Sequence, residues 1–262
     1  GVKVEKVSPS IDHAVSSPDF KAHHSIGKVR IAAMIRPQTP RRGAGRTMSL
    51  LKVIYEKYRD RVAISIFGVE SEHKEFSNLE WDFPFENLGI LRRPDVASLL
   101  AESDIFLDLS DYQAFGRTAL EAMASGAVAV VPKAGGAEEY AIDGENALVV
   151  DSLDASGCLA SIDRLISCDE KLASMRFAAL KTANEYSIRS AAVSELKVLA
   201  SHLRRRRQFR VTPERQNLWL LPSRAKGGEI AGSGYVRLVA PYTQGTLLSD
   251  YKVKISPDSF LP

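Results

Sequence analysis

The stretch that decides the fold covers residues 110–126 and reads SDYQAFGRTALEAMASG. It follows residues 104–109 (DIFLDL), in which three consecutive apolar residues are typical of a buried strand. Gly116 lies in the turn after this strand, and the residues beyond it favour a helix that lasts to about Ala124. Gly126 then ends the helix, as a C′ glycine does. The sequence therefore predicts a strand, a turn and a helix in direct succession.

The same alternation of strands and helices continues on both sides of this stretch. Apolar runs without polar alternation predict further buried strands at residues 28–35, 62–67, 127–131 and 147–150. Helices are predicted at residues 47–58 and 94–101, and as two or three segments within residues 155–205. Strands that alternate with helices favour a parallel sheet with helices on both faces. We therefore predict a Rossmann-like α/β domain.

The turn and helix start in residues 110–126 have the chemistry of an anion site. In open parallel sheets ligands bind at the carboxyl ends of the strands, where a helix N-terminus presents free N–H groups. Phosphate is the natural ligand of such a helix start. Gly116 permits close approach of the backbone, Thr118 adds a hydroxyl, and the Glu121 carboxylate can accept hydrogen bonds from a ribose diol. The residues alone leave an ordinary turn followed by a solvated glutamate as an alternative.

A basic loop, residues 36–43, follows the first predicted strand and reads RPQTPRRG. Guanidinium groups held in place bind a phosphate through two hydrogen bonds at once. They also stabilise negative charge that builds on a leaving nucleoside diphosphate. A solvated basic loop without a ligand is the alternative interpretation.

Residues 114–126 resemble the E-x7-E signature of family-4 glycosyltransferases, whose usual form is E-G-F-G-x-x-x-x-E-A-M-A-x-G. Other landmarks of that family recur in order at residues 11–12, 87–89, 135–139, 143–146 and 186–187. The resemblance spans roughly residues 3–205. It implies the C-terminal, donor-binding domain of a GT-B glycosyltransferase of the glycosyl transferases group 1.

By that resemblance, the residues of the signature bind a nucleotide-sugar donor. Glu121 holds the ribose, and the turn amides of Gly116, Arg117 and Thr118 hold the diphosphate. Phe115 belongs to the same donor-binding set. These roles are what the resemblance implies for this sequence.

Three further positions are matched by the resemblance, one of them with a departure from the family pattern. Arg36 and Arg42 match two cations that clamp the diphosphate, and Arg41 is a rival for the second because the loop is one residue longer. Gln113 stands where the family has the first glutamate, so it can bind sugar hydroxyls but carries no charge. The resemblance makes Arg36, Arg42, Gln113 and Glu121 the candidate catalytic residues.

The resemblance also implies a division of the chain. Residues 1–27 match an interdomain linker and residues 28–207 the nucleotide-sugar-binding domain. Residues 208–262 are expected to form a short α/β extension that begins a following glycosyltransferase module, with strands at 217–221 and 251–255 and a helix or strand at 235–240. The N-terminal GT-B domain, which holds the acceptor, would precede residue 1. We therefore expect this chain to bind donor without transferring sugar.

Composition and charge limit the classes of partner. The chain has 262 residues, 45% of them hydrophobic and 26% charged, and a net charge of +3, so nothing points to nucleic acid. Its two cysteines, Cys158 and Cys168, make no disulfide framework, and no apolar run approaches the roughly 20 residues that span a bilayer. A cytoplasmic location is expected. Residues 204–207, four arginines, are either a solvated helix end or a peripheral contact with anionic lipid.

The implied function is transfer of a sugar, with retention, from a nucleotide-sugar to a polysaccharide or lipid-linked acceptor. No metal and no other cofactor is expected, because Asp104, Asp108 and Asp111 would suggest a DxD metal site only in a different fold. Two rivals remain. One is another GT-B sugar-nucleotide enzyme, an epimerase or a phosphorylase. The other is a degenerate domain that serves as a scaffold, and the uncharged Gln113 is the argument for it.

Overall fold

A computed structural model of the chain describes residues 7–13, 16, 27–77, 81–208, 216–220 and 251–255. Its strands are β1 Val29–Met34, β2 Val62–Phe67, β3 Glu86–Asn87, β4 Ile105–Leu107, β5 Val128–Pro132, β6 Ala147–Val150, β7 Gln216–Leu220 and β8 Tyr251–Ile255. Its helices are α1 Ala44–Tyr58, α2 Lys74–Ser77, α3 Arg93–Glu102, α4 Arg117–Ala124, α5 Ala155–Ile166, α6 Asp169–Asn184 and α7 Ile188–Gln208. Short 3₁₀ turns lie at Pro40–Arg42, Arg59–Arg61 and Gly136–Glu139.

The first six strands form one parallel sheet in the order β3-β2-β1-β4-β5-β6. Ile31 of β1 pairs with Ile64 of β2 on one side and with Ile105 of β4 on the other. The chain therefore runs outward from β1 to β3 and then returns to the opposite side of β1. Such a reversal opens a crevice between the carboxyl ends of β1 and β4, which is where open α/β sheets bind ligands.

Both faces of the sheet are covered, because successive residues of a strand point to opposite sides. Ile31 and Ala33 lie in a buried cluster with apolar side chains of α1 and α5. Ala32 and Phe106 lie in a second cluster with side chains of α3, α4 and α6. Strands that bury both faces need no polar alternation, which is the pattern of their sequences. The predicted Rossmann-like domain is confirmed.

The sequence predicted five of the six strands of this sheet but misplaced some ends, and it did not predict β3 or the short helix α2. Helix α1 begins at Ala44 rather than at residue 47, because Gly43 adopts the left-handed conformation (φ 63°, ψ 38°) that joins the 3₁₀ turn to the helix. Strand β4 is shorter than residues 104–109. At its start the Asp104 N–H still donates to the carbonyl of Arg30 at 2.9 Å, but the N–H of Arg30 donates to the Asp104 carboxylate at 2.8 Å, so a side chain replaces one backbone partner there.

The chain divides into two compact units, Gly1–Val198 and Leu199–Pro262. Within the second unit β7 and β8 pair in parallel, with Gln216 opposite Tyr251. Both strands expected in this tail are therefore present. The helix or strand expected at residues 235–240 lies outside the described residues.

The packing of the core can be tested by mutation. Leu51 of α1 is fully buried, whereas Leu153 is 78% exposed. Leu51→Ala should lower the free energy of unfolding by about 2–5 kcal/mol, because it leaves a cavity in a close-packed core. The matched control, Leu153→Ala, should change it by less than about 0.5 kcal/mol. Urea unfolding followed by circular dichroism measures both, and equal losses would contradict the packing described.

Candidate functional site

The loops that leave β1 and β4 are tied to each other at the crevice between these strands. The backbone N–H of Asp111 donates to the carbonyl of Arg41 at 2.7 Å. Arg46 of α1 donates from Nε to the carbonyl of Leu109 at 2.7 Å, and its guanidinium also pairs with the Asp111 carboxylate. The two loops that carry the predicted site residues therefore form one hydrogen-bonded edge.

Gly116 and the buried side chain of Tyr140 fix the start of α4 so that its first backbone N–H groups face this crevice. Gly116 is the N-cap of α4 in the left-handed conformation (φ 76°, ψ 45°), and no described side chain caps the helix. The Tyr140 hydroxyl donates to the Gly116 carbonyl at 2.8 Å, and a Cβ at residue 116 would meet that hydroxyl at 2.5 Å. Burial raises the pKa of Tyr140 well above its ordinary value, so the hydroxyl stays a donor. The first amides of α4 are thus left for a ligand.

A cluster of three aromatic side chains packs against the turn that precedes α4. The ring of Phe115 lies 5.3 Å from that of Tyr140 and 6.0 Å from that of Tyr186. The Tyr186 hydroxyl donates to the carbonyl of Glu139 at 2.9 Å, which links the cluster to the loop after β5. The structure therefore places Phe115 in the packing of the turn, where it supports the residues that face the crevice.

Glu121 lies one turn into α4, beside a cavity of about 390 Å³. Its side chain is 16% exposed and accepts a hydrogen bond from Arg117 Nε at 3.0 Å. The cavity is apolar along Leu91 and Val96 and polar along Thr118, Arg117 and Glu121. A concave site with apolar walls and a few convergent polar groups is the usual form of a small-molecule site.

The three arginines of the basic loop differ in where they point. Arg42 extends toward the end of β4, with its guanidinium 3.6 Å from the Asp108 carboxylate. Arg41 lies over the ring of Tyr112, 5.2 Å from the ring centre. Arg36 is exposed and forms no ion pair within the described part of the chain. Of the two rivals for the second cation, Arg42 is therefore the one directed into the crevice.

Electrostatics show that these cations are close neighbours. Burial lowers the pKa of Arg42 from its usual value, the Asp108 carboxylate opposes this effect, and the positive charges of Arg41 and Arg36 add to it. Three cations near one carboxylate leave a net positive charge at this edge of the sheet. Such a site favours a multiply charged anion.

Gln113 is buried, which its position in the signature alone did not indicate. The residue is 5% exposed, and its Nε2 donates to the Asp108 carboxylate and to Ser110 Oγ. Its backbone carbonyl accepts from the N–H of Gly136 at 2.8 Å. A Cβ at Gly135 would lie 2.0 Å from that carbonyl oxygen, so the paired glycines allow the close approach.

Sequence reasoning missed Asp108 and Tyr140. The sequence pattern suggested Asp108 only as a metal ligand, and it did not single out Tyr140. For Asp108 a usable signal was present, because a charged residue directly after a buried strand points into the crevice of a parallel sheet. The tyrosine carries no such signal, since its partner lies 24 residues away in the chain.

The three aspartates of the DxD-like pattern each pair with an arginine, although Asp104 lies at the opposite end of β4 from the site. Asp104 pairs with Arg176 at 3.1 Å, and Asp108 and Asp111 pair with Arg42 and Arg46. Within the residues that the structure describes, no group of three or more His, Cys, Asp or Glu side chains could hold a metal ion. In the same part of the chain, no helix is both long and apolar enough to cross a bilayer.

Solved structures share this fold. The C-terminal domain of the glycosyl transferase group 1 family protein LpcC from Francisella tularensis is 23% identical, with a TM-score of 0.59 over 68% of this chain and 100% of that domain. Anabaena HepE, solved with UDP and glucose, is 18% identical (TM-score 0.60, 73% of this chain). The sucrose-phosphate synthase of Thermosynechococcus elongatus is 14% identical (TM-score 0.63, 75% of this chain). This chain spans 55% of the length of HepE and 52% of that of the synthase.

Sequence comparisons complete the assignment. No curated protein sequence matches the chain. The family model "Glycosyl transferases group 1" matches residues 17–182, which is more than half of the sequence. This chain therefore belongs to the glycosyl transferases group 1 family.

Proposed function

We propose that the chain is the donor-binding domain of a retaining glycosyltransferase that moves a sugar from a nucleotide-sugar to a polysaccharide or lipid-linked acceptor. One observation carries the proposal: the uncapped start of α4 lies between a cationic loop and a cavity that contains a carboxylate. The helix start and the basic loop suit the phosphates, the carboxylate suits the ribose diol, and the apolar wall of the cavity suits the base. The structural neighbour HepE was solved with UDP-glucose, which agrees with such a ligand.

The diphosphate is assigned to the space between α4 and the basic loop. The amides of Gly116, Arg117 and Thr118 point out of the helix start, and the positive end of the helix dipole favours an anion. Arg36 and Arg42 approach from the loop after β1. During transfer, charge builds on the leaving nucleoside diphosphate, and cations already in place stabilise it. This chemistry requires no metal, and we propose that the reaction uses none.

The nucleoside is assigned to the cavity next to Glu121. A diol oriented toward this carboxylate would donate two hydrogen bonds to it. In the free protein Glu121 is paired with Arg117, so the ligand either shares the carboxylate or displaces the arginine. Beyond the ribose, the apolar side chains of Leu91 and Val96 provide a wall for the base.

The acceptor is proposed to bind outside this domain. The assigned donor groups lie on one edge of one sheet, and transfer needs an acceptor held against the donor in near-attack geometry, an effect worth roughly 7–11 kcal/mol of the barrier. We therefore propose that an N-terminal GT-B domain supplies the facing wall, and that this chain alone hydrolyses donor slowly at most. A contact of residues 204–207 with anionic lipid near a lipid-linked acceptor belongs to the same proposal.

Glu121→Ala tests the ribose assignment. Isothermal titration calorimetry first identifies which of UDP-, GDP- and dTDP-linked sugars the wild-type chain binds. The variant should then weaken binding of that ligand by about 1.5–3 kcal/mol, the range for hydrogen bonds to a charged group. Glu195→Ala, which removes an exposed carboxylate of α7, is the control and should leave the affinity unchanged. Unchanged affinity in a folded Glu121→Ala protein would refute the ribose role, and a wild-type chain that binds none of these sugars would favour a scaffold.

Arg36→Ala and Arg42→Ala test the diphosphate assignment. Each should weaken binding of the nucleoside diphosphate at least about tenfold and leave binding of the free nucleoside nearly unchanged, because only the diphosphate carries the charge that they bind. Arg92→Ala, which removes an exposed arginine paired with Asp95, is the matched control. Equal losses for the diphosphate and the nucleoside would show general damage to the fold and contradict the assignment.

A further inference from the structure

The carboxylate of Asp108 is a nearly buried charge at the end of β4. Its side chain is 10% exposed. One oxygen accepts from the backbone N–H of Ser110 at 3.0 Å and from its hydroxyl at 2.5 Å. The other accepts from Gln113 Nε2 and lies 3.6 Å from the Arg42 guanidinium. A charge this buried persists only with such partners, so Asp108 organises three neighbouring side chains.

Asp108 decides which way the Gln113 carboxamide faces. A carboxylate can only accept hydrogen bonds, so Gln113 must direct its NH₂ group toward Asp108. The same nitrogen donates to Ser110 Oγ at 2.9 Å. Within the described part of the chain, no residue donates to the carboxamide oxygen Oε1. That oxygen is thus left as an acceptor for a ligand.

Gln113 and Glu121 flank the turn at Gly116 on opposite sides. Glu121 lines the cavity together with Met34 of β1. Gln113 instead bridges to Gly135, in the loop after β5. With a diphosphate at the turn between them, a nucleotide-sugar that places its ribose at Glu121 extends its sugar toward Gln113.

We propose that Asp108 is a positioning residue for the donor sugar. It orients Gln113 so that Oε1 accepts a hydrogen bond from a sugar hydroxyl. The site thus presents the neutral Oε1 of Gln113 to the sugar, and the negative charge lies on Asp108 behind it. This inference rests on the proposed function.

The arrangement also accounts for a neutral residue at position 113. A glutamate there would bring a second carboxylate against Asp108, and like charges in contact disfavour the ionised forms of both. Exchange at both positions, Asp108→Asn with Gln113→Glu, restores one carboxylate and one carboxamide in reversed places. The two positions should therefore be energetically coupled.

Thermal unfolding tests the coupling without any ligand. Gln113→Glu should lower the midpoint by at least about 4 °C, and the double variant should recover at least half of that loss. The single variant Asp108→Asn completes the double-mutant cycle, which gives the coupling between the two positions. If the double variant is no more stable than Gln113→Glu, the pairing of residues 108 and 113 is refuted.

Calorimetry with UDP and UDP-glucose tests the role toward the sugar; if wild type prefers another base, the corresponding GDP or dTDP pair is used. Asp108→Asn should raise the ratio Kd(UDP-glucose)/Kd(UDP) about 2- to 10-fold, the value of one neutral hydrogen bond. Affinity for UDP should hold or rise, because Arg42 loses its counter-charge. The matched control, Asp163→Asn, removes a carboxylate paired with Lys57 and should leave the ratio unchanged.

The outcomes separate this inference from the proposed function. An unchanged ratio in Asp108→Asn, or an equal loss for both ligands, refutes the positioning role while donor binding by the wild type stands. A wild-type chain that binds no nucleotide-sugar refutes the proposed function and the sugar role together. In that case a positive stability cycle would show Asp108 to be structural only.

Discussion

The close approach of two backbone segments is the constraint on which the site depends. The loop after β5 lies so near to residues 113 and 114 that a Cβ at Gly135 or Gly136 would fall about 2 Å from a carbonyl oxygen. Only glycine permits this contact, which fixes the turn before α4. Tyr140, from the same loop, then holds the carbonyl of Gly116. The direction of the α4 amides is therefore set by β5 as much as by β4.

The charged side chains around this turn differ in how deeply they are buried. The strand order places the loop after β1 beside the loop after β4, so Arg36, Arg41 and Arg42 lie near one another at the edge of the crevice. Arg42 pairs with the carboxylate of Asp108, which lies beneath the turn rather than at its surface. At this edge Arg36 is exposed, whereas the Asp108 carboxylate is nearly buried. The buried carboxylate orients side chains without facing the ligand directly.

Much of the architecture could be predicted from sequence, because strand and helix periodicities are local. The succession of β4, turn and α4 follows directly from residues 104–126. The surroundings of Gln113 could not be predicted, since a motif position does not reveal whether a side chain faces solvent or a neighbour such as Asp108. The different orientations of Arg41 and Arg42 likewise depend on Tyr112 and Asp108, which only the fold brings near.

A crystal structure of the chain with bound UDP would show each contact of the proposed donor site separately. The diphosphate should lie at the amides of Gly116–Thr118 with the guanidiniums of Arg36 and Arg42 around it. Both ribose hydroxyls should lie within hydrogen-bonding distance of Glu121. UDP bound elsewhere on the domain, or bound here with its ribose away from Glu121, would contradict the proposed site.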